Sequence, residues 1–157
     1  MSEWIEAGQR APAFTLPADD GDKVRLADLK GQPVVLYFYP RDDTPGCTRE
    51  ACAFRDQQAK LKKLGAVVLG VSGDSIASHG KFRDKYRLNF PLLADVDHRV
   101  AEKYGAWREK NMYGKKSMGI QRSTFLIGPD GKVAKVWKRV NVDGHEEQVL
   151  DALRELA

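Results

Sequence analysis

Cysteine is almost absent from this chain: Cys47 and Cys52 are the only two among 157 residues. So sparse a pair excludes a disulfide scaffold, because a domain of this length draws its stability from an apolar core and not from cross-links. A metal site is not expected either, since the two cysteines and the scattered His79, His98 and His145 lack the usual ligand spacings. The histidines have no local partner pattern, and each is read as a surface or capping residue. No stretch approaches the roughly 20 apolar residues of a membrane span. The opening Met1-Ser2-Glu3-Trp4-Ile5-Glu6 lacks the basic start and apolar run of a secretory signal, so a cytoplasmic location is expected. Charge of one sign is scarce too: Lys+Arg of 26 against Asp+Glu of 22 gives +4, which demands no polyanionic partner. The most basic stretch, Arg108 to Arg122, lacks the aromatic interleaving of a nucleic-acid stacking platform and is read as solvated. There are no repeats and no low-complexity tracts.

What remains is a globular composition, 42% hydrophobic and 31% charged, of a size that predicts one domain over residues 1–157. Phe14-Thr15-Leu16 and Lys23-Val24-Arg25-Leu26, joined through Asp19-Asp20-Gly21-Asp22, read as an N-terminal hairpin. Val34 to Tyr39 is an unbroken apolar run, a buried strand that ends at Pro40. A helix follows from about Cys47 to Leu64, with Ala51, Phe54, Gln58, Leu61 and Leu64 on one face and Gly65 as its stop. Ala66 to Ser72 reads as a second buried strand, and Asp74 or Ser75 caps a helix through Tyr86, completing a βαβ unit. Asn89 to Asp95 is a short strand or turn, Asp97 to Tyr104 a short helix, and Glu109 to Gly119, with two glycines and several lysines, a mobile surface loop. Ser123–Ile127 and Lys132–Trp137 flank Gly128-Pro129-Asp130-Gly131 as a hairpin, and a last helix opens at Asp143 or Gly144 with Val149, Leu150, Leu153 and Leu156 on its buried side. This order predicts an α/β fold with a central mixed sheet, parallel where helices cross over and antiparallel at the final hairpin, with helices on both faces.

The run Pro40-Arg41-Asp42-Asp43-Thr44-Pro45-Gly46-Cys47 carries the chemistry. Thr44 is a natural N-cap and Pro45 suits the first helical position, so Cys47 falls in the first turn, where amides lack helical partners and favour an anion. The thiolate is the nucleophile, and this position stabilises it. The plainer reading is a small buried cysteine that only packs. The run also lies at the C-terminal end of a strand, the edge at which open α/β sheets bind ligands. Since no histidine is placed to activate the thiol, a guanidinium is the obvious alternative. Arg122, beside the start of the Ser123 strand, is the candidate.

On a straight helix Cys47 and Cys52 are separated by a rise of about 7.5 Å and a rotation of about 140°. A disulfide between them requires Cα atoms roughly 4.4–6.8 Å apart, so the first turns of the helix would have to unwind. Cys47 starts the apolar stripe, whereas Cys52 shares a flank with Arg55, Asp56, Ala59 and Lys63 and is expected nearer solvent.

Tyr39-Pro40-x-Asp42-x-Thr44-Pro45-Gly46-Cys47-Thr48-x-Glu50-x-Cys52 resembles the active-site pattern of the peroxiredoxins, in the bacterioferritin comigratory protein or peroxiredoxin Q subfamily. The likeness extends from Ala11-Pro12-Ala13-Phe14 through Gly70-Val71-Ser72 to Arg122-Ser123-Thr124-Phe125-Leu126-Ile127. It implies a thioredoxin-like fold with an N-terminal extension and a thiol peroxidase that needs no haem, flavin or metal. By that resemblance Cys47 is the peroxidatic cysteine, attacking hydrogen peroxide or an alkyl hydroperoxide. Cys52 is the resolving cysteine, and the resulting disulfide is reduced by thioredoxin or a similar dithiol protein. Thr44 and Arg122 bind the peroxide and stabilise the thiolate, Pro40 shields it, and Gly46 belongs to the same turn. Glu50 either orients the arginine or simply complements the helix N-terminus. The resemblance also implies a monomer and an antioxidant role. Two other functions fit the same fold: a thiol–disulfide oxidoreductase, disfavoured because such enzymes use Cys-x-x-Cys, and a redox-switched holdase that exposes apolar surface when the helix unwinds.

Overall fold

The computed structural model describes residues 3–156. An N-terminal hairpin, β1 (Thr15–Pro17) and β2 (Lys23–Arg25), precedes the central sheet, as the alternation there predicts. The sheet is built from β3 (Val34–Phe38), β4 (Val67–Ser72), β5 (Leu92–Ala94), β8 (Ser123–Ile127) and β9 (Val133–Trp137), in the order β5-β4-β3-β8-β9. Strands β3, β4 and β5 run parallel, and β8 and β9 join antiparallel. β3 is central and buried throughout, which explains its unbroken apolar run.

Successive side chains of a strand point to opposite faces, and β3 feeds two cores. Val35, Tyr37 and Tyr39 pack with Phe54 and Leu61 of the first two helices, Phe82 of the third, and Val149, Leu150 and Leu153 of the last. Val34, Leu36 and Phe38 pack on the other face with Ala11, Phe14 and Leu16 from the N-terminal segment, and with Val100, Ala101 and Tyr104. These last three belong to α4 (Arg99–Tyr104), which ends at Gly105 with φ +87°, where a Cβ would fall 2.5 Å from the Trp4 Cα. Only glycine fits so close a backbone crossing.

The predicted helix from Cys47 to Leu64 is two helices, α1 (Pro45–Asp56) and α2 (Gln58–Lys63), broken at Gln57. The buried stripe of Ala51, Phe54, Gln58 and Leu61 continues across the break, so periodicity alone did not reveal it. α3 (Ile76–Tyr86) is capped by Ser75, whose hydroxyl accepts from the Ser78 N–H at 3.1 Å. Asp74, the other candidate cap, is engaged elsewhere. α5 (His145–Leu156) buries Val149, Leu150 and Leu153, but Leu156 in its last turn is 40% exposed, contrary to expectation.

The segment expected to be a mobile loop is instead a hairpin, β6 (Trp107–Met112) and β7 (Lys115–Ile120), turning at Tyr113 and Gly114 with φ of +54° and +78°. Two successive positive φ values give the tight turn that matches strand twist. Its strands are rich in exposed Lys, Glu, Asn and Ser, so no apolar alternation marked them. His79 and His145 are buried, not surface residues, because each has partners distant in sequence. The His145 Nε2 lies 2.8 Å from the Thr124 hydroxyl and Nδ1 3.0 Å from Gln148 Oε1. Burial pushes the His145 imidazole below its ordinary value. His98 is partly exposed and stacks on Trp107 at 3.8 Å between ring centres. Among the described residues no helix is long and apolar enough to cross a membrane.

Candidate active site

β3 delivers the chain to its C-terminal edge, where Pro40 to Thr44 turns it into α1. Thr44 occupies the N-cap position with extended φ and ψ, and Pro45 is the first helical residue. The Thr44 hydroxyl does not cap the helix; it donates back to the Arg41 carbonyl at 2.9 Å. Asp43 takes a left-handed conformation, φ +56°, which a short acidic side chain in a turn tolerates. The first helical bond runs from the Thr48 N–H to the Thr44 carbonyl at 2.8 Å. The amides of Gly46 and Cys47 therefore lie in the partnerless first turn, directed beyond the helix end.

Cys47 is 1% exposed, yet its Sγ is 3.3 Å from the Arg122 Nη2. The same guanidinium places Nη1 2.7 Å from Glu50 Oε1. One planar fork thus bridges the thiol and a carboxylate one turn further along α1, a geometry an ammonium cannot supply. Arg122 sits just before β8, which pairs with β3, so sheet register brings together residues 75 apart in the chain. Burial works against the charge on Arg122, but Glu50 and Cys47 outweigh it and hold the guanidinium firmly protonated. Glu50 is 2% exposed, and its Oε2 has no hydrogen-bond partner among the described residues. Burial pushes its carboxyl up to about 7, with Arg122 pulling the other way.

Of the two readings of Glu50, the pairing with Arg122 is the one the fold realises. Gly46 has a steric reason to be glycine: a Cβ there would lie 3.0 Å from the Arg122 Nη2. Pro40 closes the strand and is itself exposed. Cys52 lies on α1 nearer solvent than Cys47, and both cysteines are free thiols. With α1 continuous through both, their side chains face different directions, and they cannot bond without unwinding.

Lys110 on β6, within the stretch read from the sequence as solvated, is instead partly buried. Burial and the like charge of Arg122 lower its ammonium below the ordinary value, with Cys47 acting in the opposite sense. Sequence reasoning missed the cluster of Asp42, Asp74 and the buried His79 beside the turn. These are three residues whose ligand atoms converge closely enough to suit a metal ion. Their atoms are already committed to one another and to neighbouring hydroxyls, amides and a carbonyl.

A mixed α/β sheet with a cysteine in the first turn after its central strand, faced by an arginine just before the neighbouring strand, defines a class of thiol enzymes. A model of the AhpC/TSA family matches residues 7–136, and the chain belongs to that family, as a peroxiredoxin of the Bcp and peroxiredoxin Q kind. It is 55% identical over 149 residues to the putative peroxiredoxin Bcp of Coxiella burnetii, covering 95% of this chain and 99% of that protein. Identity to peroxiredoxin Bcp of Bacillus subtilis is 48%, over 98% of each chain. A structure of the Xanthomonas campestris bacterioferritin comigratory protein, described for its alkyl peroxide reduction activity, superposes with a TM-score of 0.90 at 41% identity. It covers 96% of this chain and 98% of its own. The fold is thioredoxin-like, with the N-terminal hairpin that the sequence predicts.

Proposed function

We propose that this protein is a thiol peroxidase that reduces hydrogen peroxide and alkyl hydroperoxides through Cys47 and is recycled by a dithiol protein such as thioredoxin. The observation that carries this reading is the 3.3 Å approach of Arg122 Nη2 to Cys47 Sγ at a helix start. The Cys47 thiolate attacks the terminal peroxide oxygen. An S–O bond forms, the O–O bond breaks, and the departing oxygen takes a proton to leave as water or alcohol. Negative charge develops on that leaving oxygen, where the guanidinium and the first-turn amides stabilise it, joined by the Thr44 hydroxyl once it turns from the Arg41 carbonyl to the peroxide. Pro40 keeps water from the thiolate.

The sulfenic acid on Cys47 then condenses with the Cys52 thiol, releasing water and leaving an S–S bond. Both thiols lie on one helix, so a monomer completes the step once α1 unwinds. The reductant's thiolate opens this disulfide by exchange, restoring both thiols at the cost of its own oxidation. A reducing compartment, the cytoplasm, suits a cycle that starts from two free thiols.

Stopped-flow tryptophan fluorescence of the reduced protein mixed with excess hydrogen peroxide tests the reading. The expected trace has a rate linear in peroxide, far above that of a free cysteine thiolate, and vanishes in Cys47→Ser. A rate no faster than free cysteine overturns it.

A further inference from the structure

His79 is fully buried, and the reaction above makes no use of it. Its Nε2 lies 2.9 Å from the Leu93 carbonyl, which only accepts, so Nε2 carries a hydrogen. Its Nδ1 lies 2.7 Å from Asp42 Oδ2, with a hydrogen between them. Asp42 belongs to the turn that carries Pro40 and Thr44. Its Oδ1 accepts from the Tyr39 hydroxyl at 2.6 Å and its Oδ2 from the Ser78 hydroxyl at 2.8 Å. Its backbone N–H donates to Asp74 Oδ2 at 2.8 Å, and that oxygen also accepts from the Ser72 hydroxyl at 2.7 Å. One turn residue is thereby tied to the ends of β3 and β4, to α3 and, through His79, to β5.

The helix that follows is anchored on its buried face, through Glu50 and Cys47 to Arg122 and through Ala51 and Phe54 in the core, but its first turn and exposed face carry few ties. Its N-cap makes no side-chain bond, and the Arg49–Asp143 ion pair has side chains 62% and 80% exposed, so it contributes little. Breaking the Asp42–His79 bond would instead leave two buried side chains without their partner.

We propose that the Asp42–His79 pair is a fixed pivot: it holds the turn at 40–44 stationary while α1 unwinds beyond it, which makes His79 a positioning residue for the peroxidase cycle. The proposal rests on the Cys47–Cys52 cycle given above. Because the turn does not follow Cys47 as the helix opens, Pro40 and Thr44 stay in place to receive the next peroxide.

Amide hydrogen exchange on the wild-type chain, fully reduced and after one equivalent of peroxide, tests the pivot directly. In the oxidised state the amides of residues 48–52 should exchange at least about tenfold faster, while the Asp42 amide stays within about twofold of its reduced rate. Loss of protection at Asp42 together with the helix overturns the pivot. A second measurement uses His79→Leu, compared with His79→Gln, at a temperature where both are folded. Single-turnover oxidation of Cys47 by peroxide should fall roughly tenfold or more in His79→Leu, since misplacing the turn spoils the reacting geometry. Alkylation of Cys47 by iodoacetamide, which needs no ordered peroxide site, should stay within about twofold. An unchanged peroxide rate, or equal losses in both reactions, overturns the positioning role. If His79→Leu does not fold, the wild-type exchange experiment decides. Absence of a Cys47–Cys52 disulfide in the mass of the oxidised protein removes the cycle and the pivot with it; a disulfide with an opened Asp42 amide removes the pivot alone.

Discussion

Arg122 reaches Glu50 and Cys47 with the two ends of one guanidinium, 2.7 Å from the carboxylate and 3.3 Å from the sulfur. The carboxylate fixes the plane of the fork, and the fork fixes the charge against the thiol.

Arg122→Lys should therefore slow peroxide oxidation of Cys47 by roughly 100-fold, the loss typical of removing a preorganised donor. The positive charge is kept, but an ammonium cannot hold both partners at once. Stopped-flow fluorescence reads the rate, and one within threefold of wild type removes Arg122 from the chemistry.

Gly46→Ala should slow the same step several-fold by displacing the guanidinium, because the added Cβ would lie 3.0 Å from Nη2. Moving Arg122 also loosens its buried pair with Glu50, so folding stability should fall by about 1 kcal/mol or more despite the better helix propensity of alanine. Denaturant titration beside the kinetics reads both; an unchanged rate with unchanged stability would mean that the guanidinium keeps its place.

Cys52→Ser should leave the first turnover with peroxide intact and stop turnover with thioredoxin. Mass spectrometry of the oxidised variant should show an oxygen adduct on Cys47 and no disulfide. Full thioredoxin-coupled turnover would assign the resolving step to another route.

Glu50 makes stability depend on pH in a direction unusual for an acid. Its carboxyl, ordinarily near 4.5, is pushed up to about 7 by burial, so between those values the folded chain holds a proton that the unfolded chain has released. Its contribution is complete below pH 4.5 and is lost as pH rises through about 7. Urea unfolding from pH 5 to 8 should show this decline, and Glu50→Gln should flatten it. An identical slope in the variant would mean that Glu50 is ionised throughout the range.

The strand β3 and the cysteine turn were legible because each is governed by neighbours in sequence: a run buried on both faces, then a cap, a proline and a glycine in order. Arg122 was legible only as a residue type in a suitable place, since its contacts with Glu50 and Cys47 arise from β8 pairing with β3. His79 was invisible for the same reason, its partner Asp42 lying 37 residues away. The β6–β7 hairpin escaped because polar strands give no periodic signal, and its turn begins with Tyr113 in a left-handed conformation that this residue type seldom adopts.

The break at Gln57 bears on how far a local opening spreads. Helical unwinding is cooperative and runs along a continuous ladder of bonds until something interrupts it. Here α1 stops at Asp56, and α2 begins anew with Gln58, whose side-chain amide donates to the Asn89 carbonyl at 3.1 Å. Leu61 remains seated in the core beyond the break. In the proposed cycle the discontinuity would act as a firebreak: the opening would stay with the turns around the cysteines, and the rest of that face, with its share of the core, would remain shut against water.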